Sequence, residues 1–305
     1  RFENLTMLPL LAGCASAVGG SAPDYIVLDD ALASGAAVIT EASEQGSVPE
    51  LRFVNRGAQP TLIVDGEELV GAKQNRVVNL SILVAAQSEL TIPVSCVEAG
   101  RWRARTRDFQ SSPRTQYASG RAKRMAQVSA SIRSEQSYRS DQSAVWADIA
   151  AKSARMHAGS PTSAMEALYV DHSTSIEKFV DACRAVERQV GALFAVNGAL
   201  VGMDLFDRDI TLRKMLPKLV RSVAVDALDG GSFGSQAETP EALAVPFPHQ
   251  VARFLAAVAS VPQTTTKGIG LGDDVRMNGS GITGAALVVD GTVIHLSAFN
   301  QIVGA

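Results

Sequence analysis

The residues with the greatest capacity for chemistry are concentrated between Ile63 and Arg103. This run combines acids, bases, amides, a thiol and an indole with apolar stretches typical of strands. Its functional side chains are Asp65, Glu67, Glu68, Lys73, Gln74, Asn75, Arg76, Asn79, Cys96, Glu98, Arg101 and Trp102. Because an unpaired buried polar group is costly, such side chains must satisfy one another or a ligand. The composition of this run therefore indicates a site.

The carboxylates of this run are candidates for acid and base catalysis. Glu67, Glu68 and Glu98, with Asp65, could supply a general acid and a general base, because close carboxylates push their pKa values apart. Alternation along a strand predicts that Asp65 and Glu67 face one side and Glu68 the other. The alternative is a set of exposed charges that pair with neighbouring basic residues.

The remaining polar residues of the run are suited to an anionic ligand. Arginine presents a planar fork that matches phosphate or carboxylate oxygens, amides can bind hydroxyl groups, and an indole can stack on a base. The predicted ligand-binding residues are Lys73, Gln74, Asn75, Arg76, Asn79, Arg101 and Trp102. These types suit a nucleotide or ADP-ribose pocket, and a buried structural network is the alternative. We expect antiparallel pairing to bring Asn75 and Arg76 close to Glu98 and Arg101.

Cys96 suggests two interpretations. The span from Cys96 to Arg101 approaches that of rhodanese-like loops, in which an anion-binding loop lowers the pKa of a nucleophilic thiol. However, Val97, Glu98 and Ala99 leave few small residues, and the charge of Glu98 would raise that pKa. We therefore expect a buried strand cysteine.

A basic run follows the candidate site. Residues 101–124 contain eight basic residues and one acid, whereas the whole chain has a net charge of −3. We predict a long basic loop over residues 104–120, either a solvated arm or a lid that attracts an anion. Later in the chain, Asp204 and Asp207 could join the site or bind Mg²⁺ with water, and Asp207 could instead cap a helix.

These residues must be positioned by an α+β fold. We predict a β-rich N-terminal part packed against a helical middle, with β hairpins near the C-terminus. Predicted strands are Leu5–Leu11, Ala37–Glu41, Leu51–Asn55, Thr61–Val64, Val77–Val84 and Leu90–Val97. Predicted helices are Leu28–Ala33, Ala122–Ser134, Ser143–Met156, Ser163–Val190, Leu212–Leu228 and Glu241–Ala259, the last delayed to about His249 by its prolines. Asp65-Gly66, Asn197-Gly198 and Asp290-Gly291 predict tight hairpins.

This pattern predicts an organisation in three parts. Residues 1–103 form the β-rich part that carries the site, 104–120 the basic loop, and 121–305 the helical and C-terminal α+β part. We expect these parts to form one compact unit.

Composition excludes several classes of protein. The net charge of −3 argues against a nucleic-acid binder. The three cysteines and four histidines are widely spaced, which favours reduced thiols and a cytoplasmic location over a disulfide framework or a metal site. Residues 11–14 imitate a lipoprotein cleavage box, but the apolar segment before them is too short for a signal peptide, so we expect a strand. No run is long enough for a membrane helix.

The motifs resemble the ARG- and rhodanese-phosphatase-superfamily-associated protein family. The resemblance lies in Asp65-Gly66-Glu67-Glu68-Leu69, in residues 71–76 (GAKQNR), 93–98 (PVSCVE) and 100–102 (GRW), and later in Gln142, Val145-Trp146 and residues 202–207 (GMDLFD). It covers residues from about 3 to about 230. Candidates for a further site are Cys96, Gln142, Trp146, Asp204 and Asp207. The resemblance implies, by gene-neighbourhood association with ADP-ribosylglycohydrolases, a place in NAD or ADP-ribose metabolism.

Together these observations predict an enzyme or sensor for a small, anionic, nucleotide-like ligand. As an enzyme it would be a hydrolase of ADP-ribose-related or nucleotide-related substrates. The alternatives are a non-catalytic binding or interaction module and a Cys-dependent phosphatase or sulfurtransferase-like enzyme. We predict no cofactor, with Mg²⁺ left open.

Overall fold

A computed structural model describes residues 1–13, 23–43, 45–230 and 248–300. The strands are β1 (Leu5–Leu11), β2 (Ile26–Val27), β3 (Ala37–Glu41), β4 (Glu50–Asn55), β5 (Thr61–Ile63), β6 (Glu67–Gly71), β7 (Arg76–Val78), β8 (Ile82–Val84), β9 (Ser88–Cys96), β10 (Phe109–Thr115), β11 (Gln189–Val196), β12 (Ala199–Phe206), β13 (Gln263–Lys267), β14 (Asp273–Gly279), β15 (Ile282–Val289) and β16 (Thr292–Asn300). The helices are α1 (Leu28–Ala33), α2 (Ala118–Glu135), α3 (Gln142–Arg155), α4 (Glu166–Val170), α5 (Ser173–Ala182), α6 (Asp209–Leu228) and α7 (Pro248–Ser260). The predicted α+β class is confirmed.

The strands form three sheets. Seven strands lie in the order β1-β11-β12-β16-β15-β14-β13, six in the order β10-β6-β7-β9-β4-β3, and three in the order β2-β5-β8. The N-terminal strand β1 therefore belongs to the sheet that the C-terminal strands build. The division of the chain near residue 103 does not separate the sheets from one another.

The helices pack against the seven-stranded and six-stranded sheets around a shared core. One buried cluster contains Leu62, Val77 and Val97 from the first hundred residues and Leu212 and Phe299 from the last hundred. A second cluster lies within the N-terminal strands and α1, and a third lies between α7 and the seven-stranded sheet. None of the described helices is long and apolar enough to cross a membrane.

Two of the three predicted hairpins are confirmed. Strands β11 and β12 pair across Asn197-Gly198, and β15 and β16 pair across Asp290-Gly291. Both residues of each turn have positive φ, between 49° and 79°. This is the conformation that a two-residue hairpin turn requires and that Asn-Gly and Asp-Gly favour.

The prediction of a hairpin at Asp65-Gly66 is wrong. The turn exists, because the Glu67 N–H donates to the Val64 carbonyl over 3.1 Å. However, β5 pairs with β2 and β8, whereas β6 pairs with β10 and β7. Only Gly66 has a positive φ, of 84°. The chain therefore turns out of one sheet and into another.

The prediction of a basic loop over residues 104–120 is also wrong in its extent. Strand β10 occupies residues 109–115 and pairs with β6, and α2 begins at Ala118. The strand was not predicted because the sequence of β10 is polar. Its side chains Ser112 and Arg114 face the buried carboxylate of Glu68 rather than a continuous apolar core. Only residues 104–108 and 116–117 lie outside helix and strand.

Other boundaries differ where a single apolar run serves two elements. The predicted helix Ser163–Val190 divides into α4 and α5, and its last residues enter β11. The predicted strand Val77–Val84 divides into β7 and β8 in different sheets. Helix α7 begins at Pro248, close to the predicted delay, whereas residues 241–247 and Cys14 lie outside the described residues.

Candidate functional site

Strands β7 and β9 bring together the two segments that the sequence singled out. They pair antiparallel, with Arg76 opposite Cys96 and Val78 opposite Val94. Beyond the ladder, the Asn75 N–H donates to Glu98 Oε2 over 3.0 Å, and Gln74 Nε2 donates to the Glu98 carbonyl over 2.9 Å. The expected convergence of these segments is confirmed.

We use the name Glu98 cluster for the charged and aromatic residues gathered at this end of β7 and β9. Its members are Glu41, Lys73, Arg76, Glu98, Arg101, Trp102 and Arg105. They include four cations and two carboxylates, so their formal charge has an excess of two positive units. An excess of this sign favours an anionic ligand.

Glu98 is held as a carboxylate. Its side chain is fully buried and accepts hydrogen bonds from Arg101 Nη2 (2.6 Å), Thr162 Oγ1 (2.8 Å) and the Asn75 N–H. Burial by itself would raise the pKa of Glu98, but these three donors together lower it below its usual range. Glu98 is therefore ionised near neutral pH and has no proton to donate as a general acid.

Arg101 stabilises the backbone around the cluster. Its Nη1 donates to the Ala72 carbonyl over 2.5 Å and to the Arg103 carbonyl over 3.0 Å, and its Nη2 bonds Gly71, Asn75 and Glu98. Ala72 has a φ of 35°, a conformation that non-glycine residues rarely adopt. Arg101 thus fixes a strained turn, and most of its donors are not available to a ligand.

Arg76 differs from Arg101, because its guanidinium is buried but poorly satisfied. The side chain has no exposed surface, and its single hydrogen bond is a 3.4 Å contact from Nη1 to the Asn75 carbonyl. Its Nε and Nη2 have no hydrogen-bond partner among the described residues. Burial, the largest influence, lowers the pKa of Arg76, as does Arg101, while Cys96, Glu41 and Glu98 act in the opposite direction.

Trp102 lies over this guanidinium at the surface. The centre of its ring is 5.9 Å from Arg76 Cζ and 5.3 Å from Lys73 Nζ, distances typical of cation–π contacts. Trp102 is 49% exposed, although large apolar side chains are usually covered. An exposed indole beside two cations combines an aromatic face with positive charge.

A cavity adjoins Glu98. It has a volume of about 240 Å³, and its walls include Glu98, Arg105, Ser160, Thr162 and Val170. Arg105 is more than half exposed, and its Nη2 lies 3.8 Å from Glu98 Oε1. A second cleft, of about 380 Å³, lies between α7 and the hairpin ends and contains none of the Glu98 cluster.

Cys96 has the surroundings of a core residue. It is fully buried, and burial, the largest influence, raises the pKa of its thiol. Gln142 donates from Nε2 to the Cys96 carbonyl and accepts from its N–H through Oε1, each over 2.8 Å, as a neighbouring strand would. Trp146, one turn further along α3, lies near the same thiol. The expectation of a buried strand cysteine is confirmed.

Glu67 and Glu68 lie outside the Glu98 cluster, contrary to a shared catalytic site for the three glutamates. Glu67 binds Lys218 Nζ on α6 over 2.7 Å, and Glu68 binds Arg114 Nε on β10 over 2.5 Å. Alternation along β6 sends these neighbours in opposite directions, as predicted. Each carboxylate is buried against a different cation, so the two glutamates do not share a site.

Asn79 is also separate from Arg76. Its Oδ1 accepts from Ser95 Oγ over 2.6 Å, and its Nδ2 donates to the Tyr138 carbonyl over 2.9 Å. It connects β9 to the segment between α2 and α3. Its amide is therefore satisfied by the protein itself.

Asp65 and Asp204 belong to a second buried cluster, the Asp204 network, which sequence reasoning did not identify. Its members are Asp65, Arg121, Arg124, Asp204, His295 and Ser297, all at most 3% exposed. Arg121 binds both oxygens of Asp204, at 2.8 and 3.2 Å, and Arg124 binds Asp65 at 2.7 Å. A Cβ atom at Gly66 would lie 2.9 Å from Arg121 Cδ, so glycine is needed for this packing.

The cations of this network, Arg121 and Arg124, come from the end of the basic run over residues 101–124, around the start of the predicted helix Ala122–Ser134. Arg114, Arg121 and Arg124 are all buried, whereas Arg103, Arg105 and Arg107 are exposed. The useful signal was the charge balance, because eight basic residues over 101–124 face a surplus of acids in the rest of the chain. Four of these eight basic residues are buried and form ion pairs with buried carboxylates: Arg101, Arg114, Arg121 and Arg124.

Asp207 belongs to neither the Glu98 cluster nor the Asp204 network. It accepts a hydrogen bond from the Tyr25 hydroxyl and binds Arg208 Nε over 3.1 Å. Burial, the largest influence, raises the pKa of Asp207. It does not cap α6, whose N-terminal residue makes no side-chain cap. Asp204 and Asp207 thus have protein donors of their own, and no group of three potential metal ligands occurs in the part of the chain that the structure describes.

Comparison with known proteins gives one family and no individual relative. No curated protein matches the chain, and no solved structure does. The model of the ARG and Rhodanese-Phosphatase-superfamily-associated Protein domain matches residues 1–299, nearly the whole chain. The motifs that suggested this resemblance lie on β6, β7, β9, α3 and β12. The chain therefore belongs to the ARG and Rhodanese-Phosphatase-superfamily-associated Protein family, ARPP-1.

Proposed function

We propose that the protein binds a small anionic, nucleotide-like ligand, and that the Glu98 cluster is the binding site. The observation that carries the proposal is Arg76. Its guanidinium is buried, yet Nε and Nη2 have no hydrogen-bond partner among the described residues. Leaving a buried charge without partners costs several kcal/mol, so an anion that accepts from these donors would relieve the cost.

The neighbours of Arg76 support the same ligand class. The cluster has surplus positive charge, which matches phosphate or carboxylate groups. Trp102 offers an exposed ring that can stack on a base and lies over Arg76. The family's association with ADP-ribosylglycohydrolases suggests ADP-ribose, NAD and related nucleotides as first candidates. The free thiols of Cys96 and Cys183 favour a cytoplasmic location.

Ligand binding has more support than acid–base catalysis in which the predicted glutamates are the acid and the base. Glu67 and Glu68 form ion pairs with Lys218 and Arg114, which are not members of the cluster. A hydrolytic version of the proposal would use Glu98 as a general base, because it is ionised and adjoins a cavity of about 240 Å³ with room for water. In that version Glu98→Gln keeps ligand affinity and removes turnover.

Calorimetric titration tests the proposal directly. Wild-type protein is titrated with ADP-ribose, NAD, AMP and inorganic phosphate, each with and without Mg²⁺. We expect binding of at least one nucleotide, and a loss of affinity of roughly tenfold or more in Arg76→Met, because a charge-assisted hydrogen bond contributes about 1.5–3 kcal/mol.

The matched control is Arg139→Met. Arg139 is also an arginine near the six-stranded sheet, but its side chain is 61% exposed. Its ion pair with Glu50 is long, at 3.8 Å. This variant should bind like wild type. Absence of binding to all four compounds, or unchanged affinity in Arg76→Met, would refute the proposal.

A further inference from the structure

Ser81 lies at the open end of the Asp204 network. It occupies the connection between β7 and β8 and is partly exposed, unlike His295 and Asp204, which are 1% and 2% exposed. Its Oγ lies 2.7 Å from His295 Nδ1. The Asp65 N–H donates to the same Oγ over 3.0 Å. The hydroxyl is thus fixed between a backbone donor and an imidazole.

The hydrogen bonds around His295 determine a consistent proton arrangement. His295 Nε2 lies 3.2 Å from Asp204 Oδ1, so Nε2 carries the proton that this carboxylate accepts. Nδ1 then has a lone pair directed at Ser81. Since the Ser81 oxygen already accepts from Asp65, its own hydrogen is directed at Nδ1. His295 Nε2 also lies 3.2 Å from Ser297 Oγ, which itself donates to Asp204.

Packing holds the imidazole in this orientation. The ring stacks on Phe206, with centroids 4.6 Å apart and planes inclined by 27°. Asp204 is fixed in turn by Arg121 and by Ser297, whose Oγ donates to Oδ1 over 2.7 Å. Burial would raise the pKa of Asp204, but Arg121 and His295 hold it well below its usual range, so the carboxylate stays ionised.

We propose that Ser81 is a nucleophile activated by His295 and oriented through Asp204, and that this second site transfers acyl groups from ester-like substrates. Ser81 and His295 are the catalytic residues of this proposal, and Asp204 is a positioning residue. Compared with the familiar serine, histidine and aspartate arrangement, the two imidazole nitrogens have exchanged places. General base action requires only a nitrogen lone pair directed at the hydroxyl, which Nδ1 supplies.

The proposed step is balanced without a cofactor. Ser81 Oγ bonds to the carbonyl carbon of an ester while its proton moves to His295 Nδ1. The leaving alkoxide departs with that proton as an alcohol. Water then attacks the acyl-serine, passes a proton to His295, and releases a carboxylic acid and free Ser81. This proposal is independent of ligand binding at the Glu98 cluster.

Labelling with a fluorophosphonate tests the inference, because this reagent reacts with activated serines by losing fluoride. We expect wild-type protein to gain one phosphonate, and peptide mapping to place it on Ser81. Mapping requires no variant and so does not depend on whether a substitution folds. Ser81→Ala should remain unlabelled, and His295→Gln should react about a hundredfold more slowly or worse, a typical contribution of a general base.

Ser88→Ala is the matched control. Ser88 is also partly exposed, and its Oγ donates over 2.7 Å, but to the Ala85 carbonyl rather than to an imidazole. Its variant should label at the wild-type rate. The inference is overturned if wild-type protein is not labelled, if the label lies on another residue, or if folded His295→Gln reacts as fast as wild type.

Discussion

The Asp204 network and the Glu98 cluster both contain buried arginines and carboxylates, but they differ in how completely their donors are used. In the Asp204 network two arginines face two aspartates, and Arg121 alone binds Asp65, Asp204 and Ser297. In the Glu98 cluster four cations face two carboxylates, and Arg76 has a single long hydrogen bond. The first group is balanced within the protein, and the second has positive charge and donors in excess.

This difference separates two uses of buried charge. A balanced network fixes the relative positions of β5, α2, β12 and β16, because removing either partner would leave the other charge buried without compensation. In a group with excess donors, those donors form no stabilising hydrogen bonds within the protein. Such a group is therefore the one in which a ligand can contribute the missing partner.

The largest expected effect is on the Asp204 network. Arg121→Met leaves Asp204 and Asp65 buried without their shared cation, so we expect a loss of about 3–5 kcal/mol in the free energy of unfolding. Chemical denaturation monitored by circular dichroism measures this loss. A loss below about 1 kcal/mol would show that the network does not hold the sheets and α2 together.

A smaller effect is expected for Glu98→Gln. The amide removes the charge that Arg101 binds at 2.6 Å, while the contacts of Arg101 with backbone carbonyls remain. We expect a loss of about 2 kcal/mol in the free energy of unfolding, the typical contribution of a hydrogen bond between charged groups. Thr162→Val, which removes one neutral donor to the same carboxylate, should cost less than Glu98→Gln. The reverse order would contradict the assignment of Arg101 as the main partner.

Acid should weaken both groups, because it protonates Asp204 in one and Glu98 in the other. Asp204 and Glu98 have pKa values below their usual range, so they contribute stability above their unfolded pKa values of about 4. That stability is lost as the pH falls below about 4 toward the folded values. Denaturation between about pH 6 and pH 3 should show a decline that is shallower in Glu98→Gln than in wild type. Parallel curves for the two proteins would argue against a lowered pKa of Glu98.

The sequence predicted the parts of the site that follow from local pattern. Apolar runs located β1 and β3 with their observed ends, and strand pairing placed Asn75 beside Glu98. It did not predict which cation each carboxylate would meet. Lys218 lies 151 residues from Glu67, and the two are joined only by packing of α6 on the N-terminal sheets.

The arrangement of Ser81, His295 and Asp204 could not be predicted from local sequence patterns for the same reason. Ser81 and His295 are 214 residues apart, and no glycine-flanked serine motif surrounds Ser81. His295 is one of the widely spaced histidines that the sequence gave no reason to combine. The buried arginines of α2 were missed because a run rich in charge usually indicates a solvated segment.

The central claim, that Arg76 is a buried charge kept for a ligand, is tested most directly by the unfolding free energy of Arg76→Met without ligand. Methionine fills similar space and removes a charge that lacks protein partners, so stability should be unchanged or should rise by about 1 kcal/mol. Arg121→Met, measured in parallel, should lose about 3–5 kcal/mol. If Arg76→Met is destabilised as strongly as Arg121→Met, Arg76 is a structural residue and the contrast between the two groups is wrong.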